Sequence, residues 1–280
     1  MATAPEKSSC VGAPIKERAE ALLALSRSPP ADKPVLWYFS HLYGRSEIVR
    51  MTLTFAEIDF TFAGFSNAEW AEIKPGFLEG ELSWGLPLLQ IDGLHLSQTK
   101  SIVRYVGQKG GLYPPHTALG DVWRVESILE GADDLFAMLI KYHYNKYNTV
   151  AGATAAFDPA DREQYGRTLG DVVHSTFLRF NHMLGQNAAG PEDYLVGGQL
   201  TIADILVCHY RWVCQLPEFW PLVERAFADP GLADFRRYYA SMSARHFAAY
   251  FATRYGSGGD PSASARGAAE AEGVAYPFEW

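Results

Sequence analysis

A chain of 280 residues is long enough to bury two separate cores, and its 48% hydrophobic and 20% charged residues describe a folded globular protein rather than a disordered or fibrous one. The formal net charge of -8, with no run rich in Lys and Arg, excludes the electrostatic footprint of a nucleic-acid binder. Three cysteines, Cys10, Cys208 and Cys214, follow no metal-ligand spacing and fit a reducing compartment better than a disulfide framework.

Residues 1–34 read as an N-terminal extension. Their start lacks the apolar core of a secretory leader and carries Glu6, Glu17 and Glu20, so the expectation is a cytoplasmic chain. No apolar run approaches the roughly 20 residues that a bilayer span takes, and no membrane partner is expected. Within the extension "IKERAEALLALS" has the spacing of a short amphipathic helix, and "SRSPPADKP" closes it as a proline-rich linker. Next, "VLWYF" predicts a strand from its β-branched and aromatic content, "GRSEIVRMTLTFAEI" a helix, and "DFTFAGF" a second strand. After a connection, "PLLQID" and "LHLS" flank Asp92-Gly93, a hairpin signal because both central positions of a type I′ turn need positive φ. "QTKSIVRYVGQKGG" then reads as a helix stopped by glycines. This order predicts a small α/β domain over residues 35–112, with "YPPHT" as the linker.

From residue 113 to about 255 the pattern is helical, beginning with "GDVWRVESILEGADDLFAMLIKYHYNKYN" and resuming at "DPADREQYGRTLGDVVHSTFLRFNHML". An all-α bundle is expected there. Within it "LTIADIL" offers Thr201 as N-cap with Asp204 three residues on, flanked by Leu200 and Ile205 as a hydrophobic staple, a structural motif rather than a chemical one. Residues 256–280, opening "GSGGDPSASARG", read as a flexible low-complexity tail.

Taken together, "WYFSHLYGRSEIVRM", "WAEIK", "LPLLQIDGLHLSQTKSIVRYV", "ESILEGADDL" and "YLVGGQLTIADILV" resemble the cytosolic glutathione transferase family, most closely its sigma class. The resemblance covers about residues 35–250 and reaches neither extension. It implies a thioredoxin-like N-terminal domain that binds glutathione as co-substrate, an all-helical C-terminal domain that takes a small-molecule electrophile, and a homodimer. The proline matching Pro87 is cis in the family, and the residue before it, here Leu86, offers its backbone to the cysteinyl unit of glutathione as an added strand edge. Gln98 and Thr99 open the following helix and meet the γ-glutamyl carboxylate, which a helix N-terminus favours by about 0.3 to 1 kcal/mol at an exposed site. Trp70 and Lys74 match residues that reach the glycyl end. Asp134 matches the residue that meets the γ-glutamyl ammonium of the ligand held by the neighbouring subunit. Two departures stand out: the loop before Leu86 is longer than in sigma-class relatives, and Gly85 replaces a lysine.

Catalysis in the family needs a donor to the glutathione thiolate, since a thiol with pKa near 8.5 is only a few per cent ionised at neutral pH. A hundredfold gain in thiolate over thiol takes roughly 2.7 kcal/mol, within reach of one charge-assisted hydrogen bond plus the positive charge of Arg45. The expected donor is Tyr38. Counted back from Gly44-Arg45, however, the chain has a residue more than the family spacing, so Phe39 falls at the expected place and Ser40, His41 and Tyr43 stand as alternatives. A strand aromatic packed in the core is the competing reading of Tyr38. "YHYNKYN" offers a wall for the electrophile. The carboxylates Glu130, Asp133 and Asp134 share a helix face, and no metal site is expected from them. Rival functions are a glutathione-dependent isomerase of one substrate and a non-catalytic protein that keeps the fold.

Overall fold

The computed structural model describes residues 14–28, 32–40, 44–77, 85–144, 146–148, 154–156, 158–187, 193–216 and 218–255. The C-terminal tail, Cys10, His41 and Tyr43 lie outside them. Contacts divide the chain into two compact units, one reaching to Leu112 and the other spanning Tyr113–Phe251. No helix among the described residues is long and apolar enough to cross a membrane.

The first unit is thioredoxin-like. Its sheet has the order β2-β1-β3-β4, formed by β1 (Val35–Phe39), β2 (Thr61–Phe65), β3 (Leu88–Ile91) and β4 (Leu94–Ser97). Strand β1 pairs with β2 in parallel and with β3 antiparallel, so it is central and buried on both faces, as its run of apolar residues requires. At the β3–β4 turn Asp92 and Gly93 both have positive φ, 52° and 74°, the type I′ hairpin that the dipeptide predicts. Helix α1 (Ile15–Arg27) precedes the sheet, α2 (Gly44–Phe55) crosses from β1 to β2, and α4 (Thr99–Lys109) follows β4. From α4 the Tyr105 hydroxyl and Lys109 ammonium reach Asp92, and they hold its carboxyl below the usual carboxylate range, the Tyr105 hydrogen bond most of all.

Between β2 and β3, where the sequence suggests only a connection, lies α3 (Asn67–Ile73) and a 3₁₀ turn, Lys74–Gly76. Its start is fixed by a capping box: the Ser66 N–H donates to Glu69 Oε2 at 2.7 Å, and the Glu69 N–H donates to Ser66 Oγ at 3.2 Å. Ala19 of α1, Val35 and Trp37 of β1, Phe65 of β2, Ile73 of α3 and Leu88 of β3 form one buried cluster, with Leu22, Leu23, Trp70, Phe77 and Leu86 packed against it. Helix α1 therefore covers the odd-numbered face of β1. Ala19, Leu22, Leu23 and Ser26 lie at the i, i+3, i+4, i+7 spacing of one helix face. The Trp37 indole N–H donates to Gln90 Oε1 at 2.7 Å, and Gln90 Nε2 donates to the Ser26 carbonyl at 2.8 Å. The segment that reads as an extension is thus part of the first unit's core.

The second unit is helical, with the long helices α5 (Leu119–Tyr144) and α6 (Pro159–Gly185) separated by a small antiparallel pair, β5 (Lys146–Asn148) and β6 (Thr154–Ala156), which the helical pattern does not foresee. Helix α7 (Ile202–Val213) is the core of the unit and is buried at almost every position. Helices α8 (Trp220–Phe227), α9 (Ala233–Met242) and α10 (Ala248–Tyr255) follow, the last two joined by a π turn. At the head of α7, Asp204 Oδ2 accepts from the Thr201 N–H and Thr201 hydroxyl, both at 2.8 Å, while Oδ1 accepts from the Leu195 N–H at 2.8 Å and the Tyr238 hydroxyl at 2.7 Å. Burial pushes this carboxyl above its ordinary value although all four donors oppose the shift.

Candidate active site

Sheet register assembles the site. Trp37 pairs with Leu88 across β1–β3, and Leu88 pairs with Ser97 across β3–β4. Both antiparallel registers end there, so Tyr38 follows Trp37, Leu86–Pro87 precede Leu88 and Gln98–Thr99 follow Ser97 at that same end of the sheet. Five of the residues that the resemblance singles out therefore lie toward one end of the sheet.

The Leu86–Pro87 peptide bond is cis, as the resemblance implies, with Gly85 before it at a φ of 135°. Only Leu88 onward pairs with β1, so Leu86 lies outside the ladder, half-exposed. Gln98, the residue that caps α4, has a φ of 70° and exposes its side chain. A non-glycine residue in that region is unusual and marks a backbone held by its surroundings. Thr99 follows, 5% exposed, and its hydroxyl oxygen is buried without a hydrogen-bond partner. The first turn of α4 also contains no acidic side chain, leaving its free backbone N–H groups and this hydroxyl without a carboxylate of their own. A buried polar group is ordinarily satisfied, so this arrangement suits an external acceptor, an anion above all.

Tyr38 sits on β1 and is 9% exposed. The alternation of the strand sends it to the face opposite Trp37, toward α2. There its hydroxyl abuts Gly44: a Cβ added to that glycine would lie 2.9 Å from Tyr38 Oη, too close for an ordinary contact. Glycine at the first position of α2 is thus what makes room for the phenol. Arg45 follows on α2 and is half-exposed. Ser40 continues the pairing of β1 through an N–H bond to the Phe65 carbonyl at 3.0 Å, and a Cβ on Gly64 would lie 3.1 Å from its own. No local pattern in the sequence signals the Gly44 contact.

Trp70 stacks on Phe65 at 5.0 Å between ring centroids and meets Phe39 and Phe77 edge-on, leaving part of the indole exposed. It shares the hydrophobic cluster with Leu86. Lys74, whose N–H bonds the Trp70 carbonyl at the end of α3, is exposed. Asp134 belongs to the other unit, exposed on α5 with Glu130, while Asp133 is half-buried. Among the described residues no group of three or more His, Cys, Asp or Glu is arranged to hold a metal ion. Of the aromatic wall, Tyr142 lies under the Arg162 guanidinium at 4.0 Å, and His143 Nδ1 lies 2.7 Å from Glu218 Oε2, so both are engaged inside the helical unit.

No family model matches the chain. Its sequence is 32% identical over 208 residues to mouse "Glutathione S-transferase A4", spanning 73% of this chain and 80% of that one. It is 30% identical over 204 residues to rat "Glutathione S-transferase alpha-4", spanning 72% and 79%. Among solved structures it is similar to the glutathione S-transferase of Ascaris lumbricoides (TM-score 0.59, 21% identity, 79% of this chain and 97% of that one). A second is the Pi-class glutathione S-transferase of Onchocerca volvulus (TM-score 0.61, 17% identity, 81% and 96%). At those identities the structures share the fold.

Proposed function

The chain belongs to the glutathione S-transferase family, and from that premise we propose that it binds glutathione at the sheet end built by Tyr38, Leu86–Pro87 and Gln98–Thr99 and transfers its thiolate to apolar electrophiles. The observation that carries this reading is the buried, partnerless hydroxyl of Thr99 at an α4 start that has no acidic side chain. The γ-glutamyl carboxylate fills that vacancy in hydrogen bonding, accepting from the hydroxyl and from α4 backbone N–H groups. The backbone of Leu86, outside the β1–β3 ladder, pairs with the cysteinyl unit. Trp70 and the Lys74 ammonium take the glycyl end.

With the tripeptide so held, its sulfur comes to the Tyr38 end of the sheet. The phenol donates to the thiolate, and Arg45 adds positive charge. Both stabilise the anion over the thiol, and the anion then attacks the electrophile, so the new bond is carbon to sulfur and the leaving group departs with the electron pair. The electrophile is taken by the helical unit, and the active unit is a homodimer in which Asp134 meets the ammonium of the partner's glutathione. Within the family, the "YF" pair at Tyr38-Phe39 supports a sigma-class-like reading.

Calorimetric titration tests the binding half. Thr99→Ala removes one charge-assisted hydrogen bond and weakens glutathione binding by about 1 to 3 kcal/mol, with the fold retained. An unchanged dissociation constant means that the Thr99 hydroxyl does not meet the ligand and overturns the reading. Turnover of an aryl halide tests the other half: glutathione bound without turnover identifies a binding protein on this fold.

A further inference from the structure

Helix α1 grips the segment Ser66–Gly76 at both of its ends. At the start, Arg18 Nε lies 2.8 Å from Glu69 Oε1, while Glu69 Oε2 accepts the Ser66 N–H that caps α3. One buried carboxylate thus serves the cap and the inter-helix ion pair at once, its side chain 5% exposed and that of Arg18 27%. At the far end, a Cβ on Gly76 would lie 3.4 Å from Arg27 Nη2 and 3.6 Å from Leu23 Cδ2, so α1 rests against the 3₁₀ turn. Trp70 directly follows Glu69, and Lys74 stands one turn later.

We propose that Arg18 of α1 is a positioning residue for the glycyl end of glutathione, acting through Glu69 on the orientation of Trp70 and Lys74. The inference rests on the assignment of those two residues to the glycyl end. A helix as short as α3 takes its direction from its first turn, where the capping box replaces missing backbone partners. Without Arg18 the Glu69 carboxylate is a buried charge lacking its counter-ion, and it relieves that state by turning toward water. Turning breaks its bond to the Ser66 N–H, and α3 loses the anchor next to Trp70. The γ-glutamyl and cysteinyl contacts are built on the Thr99 hydroxyl and the backbone of Leu86, whereas the bonds of Glu69 described above go to Ser66 and Arg18. The effect of Arg18 is therefore confined to ligands that have a glycyl unit.

The test compares glutathione with γ-glutamylcysteine, which lacks glycine, in titrations of the wild type, Arg18→Met, Arg18→Lys and Thr99→Ala. Arg18→Met keeps an unbranched apolar side chain at that position while removing the charge, and thermal denaturation verifies that it is folded. The wild type binds glutathione more tightly than the dipeptide. Arg18→Met raises the glutathione dissociation constant roughly three- to tenfold, leaves that of the dipeptide unmoved, and Arg18→Lys restores the difference. Equal weakening of both thiols, or of neither, overturns the role of Arg18 while the Thr99→Ala defect still upholds the binding site. A wild type that binds neither thiol overturns the site and the inference with it.

Discussion

Tyr38 and Thr99 each present a hydroxyl at the same end of the sheet but under different constraints. Thr99 is walled in by its own burial, whereas Tyr38 is placed by what its neighbour lacks, the side chain of Gly44. Tyr38→Phe deletes the donor to the thiolate and little else. Glutathione affinity stays near the wild-type value, the pKa of the bound thiol rises, and turnover at neutral pH falls by about ten- to a hundredfold, read from the thiolate absorbance and the pH–rate profile. Gly44→Ala gives a milder form of the same defect by pushing the phenol aside. Wild-type activity in Tyr38→Phe moves the donor into the loop after β1. The sequence named Tyr38 without settling it, because the residue count of that loop conflicts with the family spacing.

Among the described residues two capping boxes organise the elements, one in each unit. The one at Thr201 and Asp204 was legible because it precedes an apolar run; the one at Ser66 and Glu69 has the same spacing but precedes a helix too short to show periodicity. The hairpin was legible for the opposite reason: Asp92-Gly93 meets a backbone need that few other pairs meet. What no local pattern revealed is docking. The apolar face of α1 is visible in the sequence, but its partner surface comes from strands and a helix far along the chain. In the helical unit, Asp204→Ala strands the N–H of Leu195 and the hydroxyl of Tyr238 in the core and costs roughly 3 kcal/mol in chemical denaturation at neutral pH. The pH dependence has a definite sign. Burial raises the folded-state pKa of Asp204 above the unfolded value, so the folded chain holds the extra proton between the two. The advantage of wild type over Asp204→Ala is accordingly largest in acid and shrinks as pH rises from the ordinary carboxylate range through the folded-state value. An advantage that grows with pH across that window refutes this account.

At the scale of the whole molecule, α5 presents one exposed face along Leu119, Trp123, Ser127, Glu130 and Asp134, with the first two apolar side chains 74% and 64% exposed. A large apolar surface beside carboxylates suits a twofold interface that brings Asp134 to the partner's ligand, as the proposed homodimer requires. Asp134→Asn weakens glutathione binding about three- to thirtyfold without unfolding the chain, and light scattering over a concentration series gives a dimer. Mixing Asp134→Asn with Thr99→Ala chains produces heterodimers with one intact site and one doubly damaged site; a fully active monomer at assay concentration rules the scheme out. In the first unit, the amide of Gln90 carries a consequence for descent. It satisfies the Trp37 indole with one end and the Ser26 carbonyl with the other, both in the interior. A lineage that deleted α1 would take the Ser26 carbonyl from that amide and bare the apolar cluster that α1 covers. Losing the helix then takes compensating changes across the face it covers, so the segment is held in place by a ratchet of ordinary packing even where selection for its role lapses.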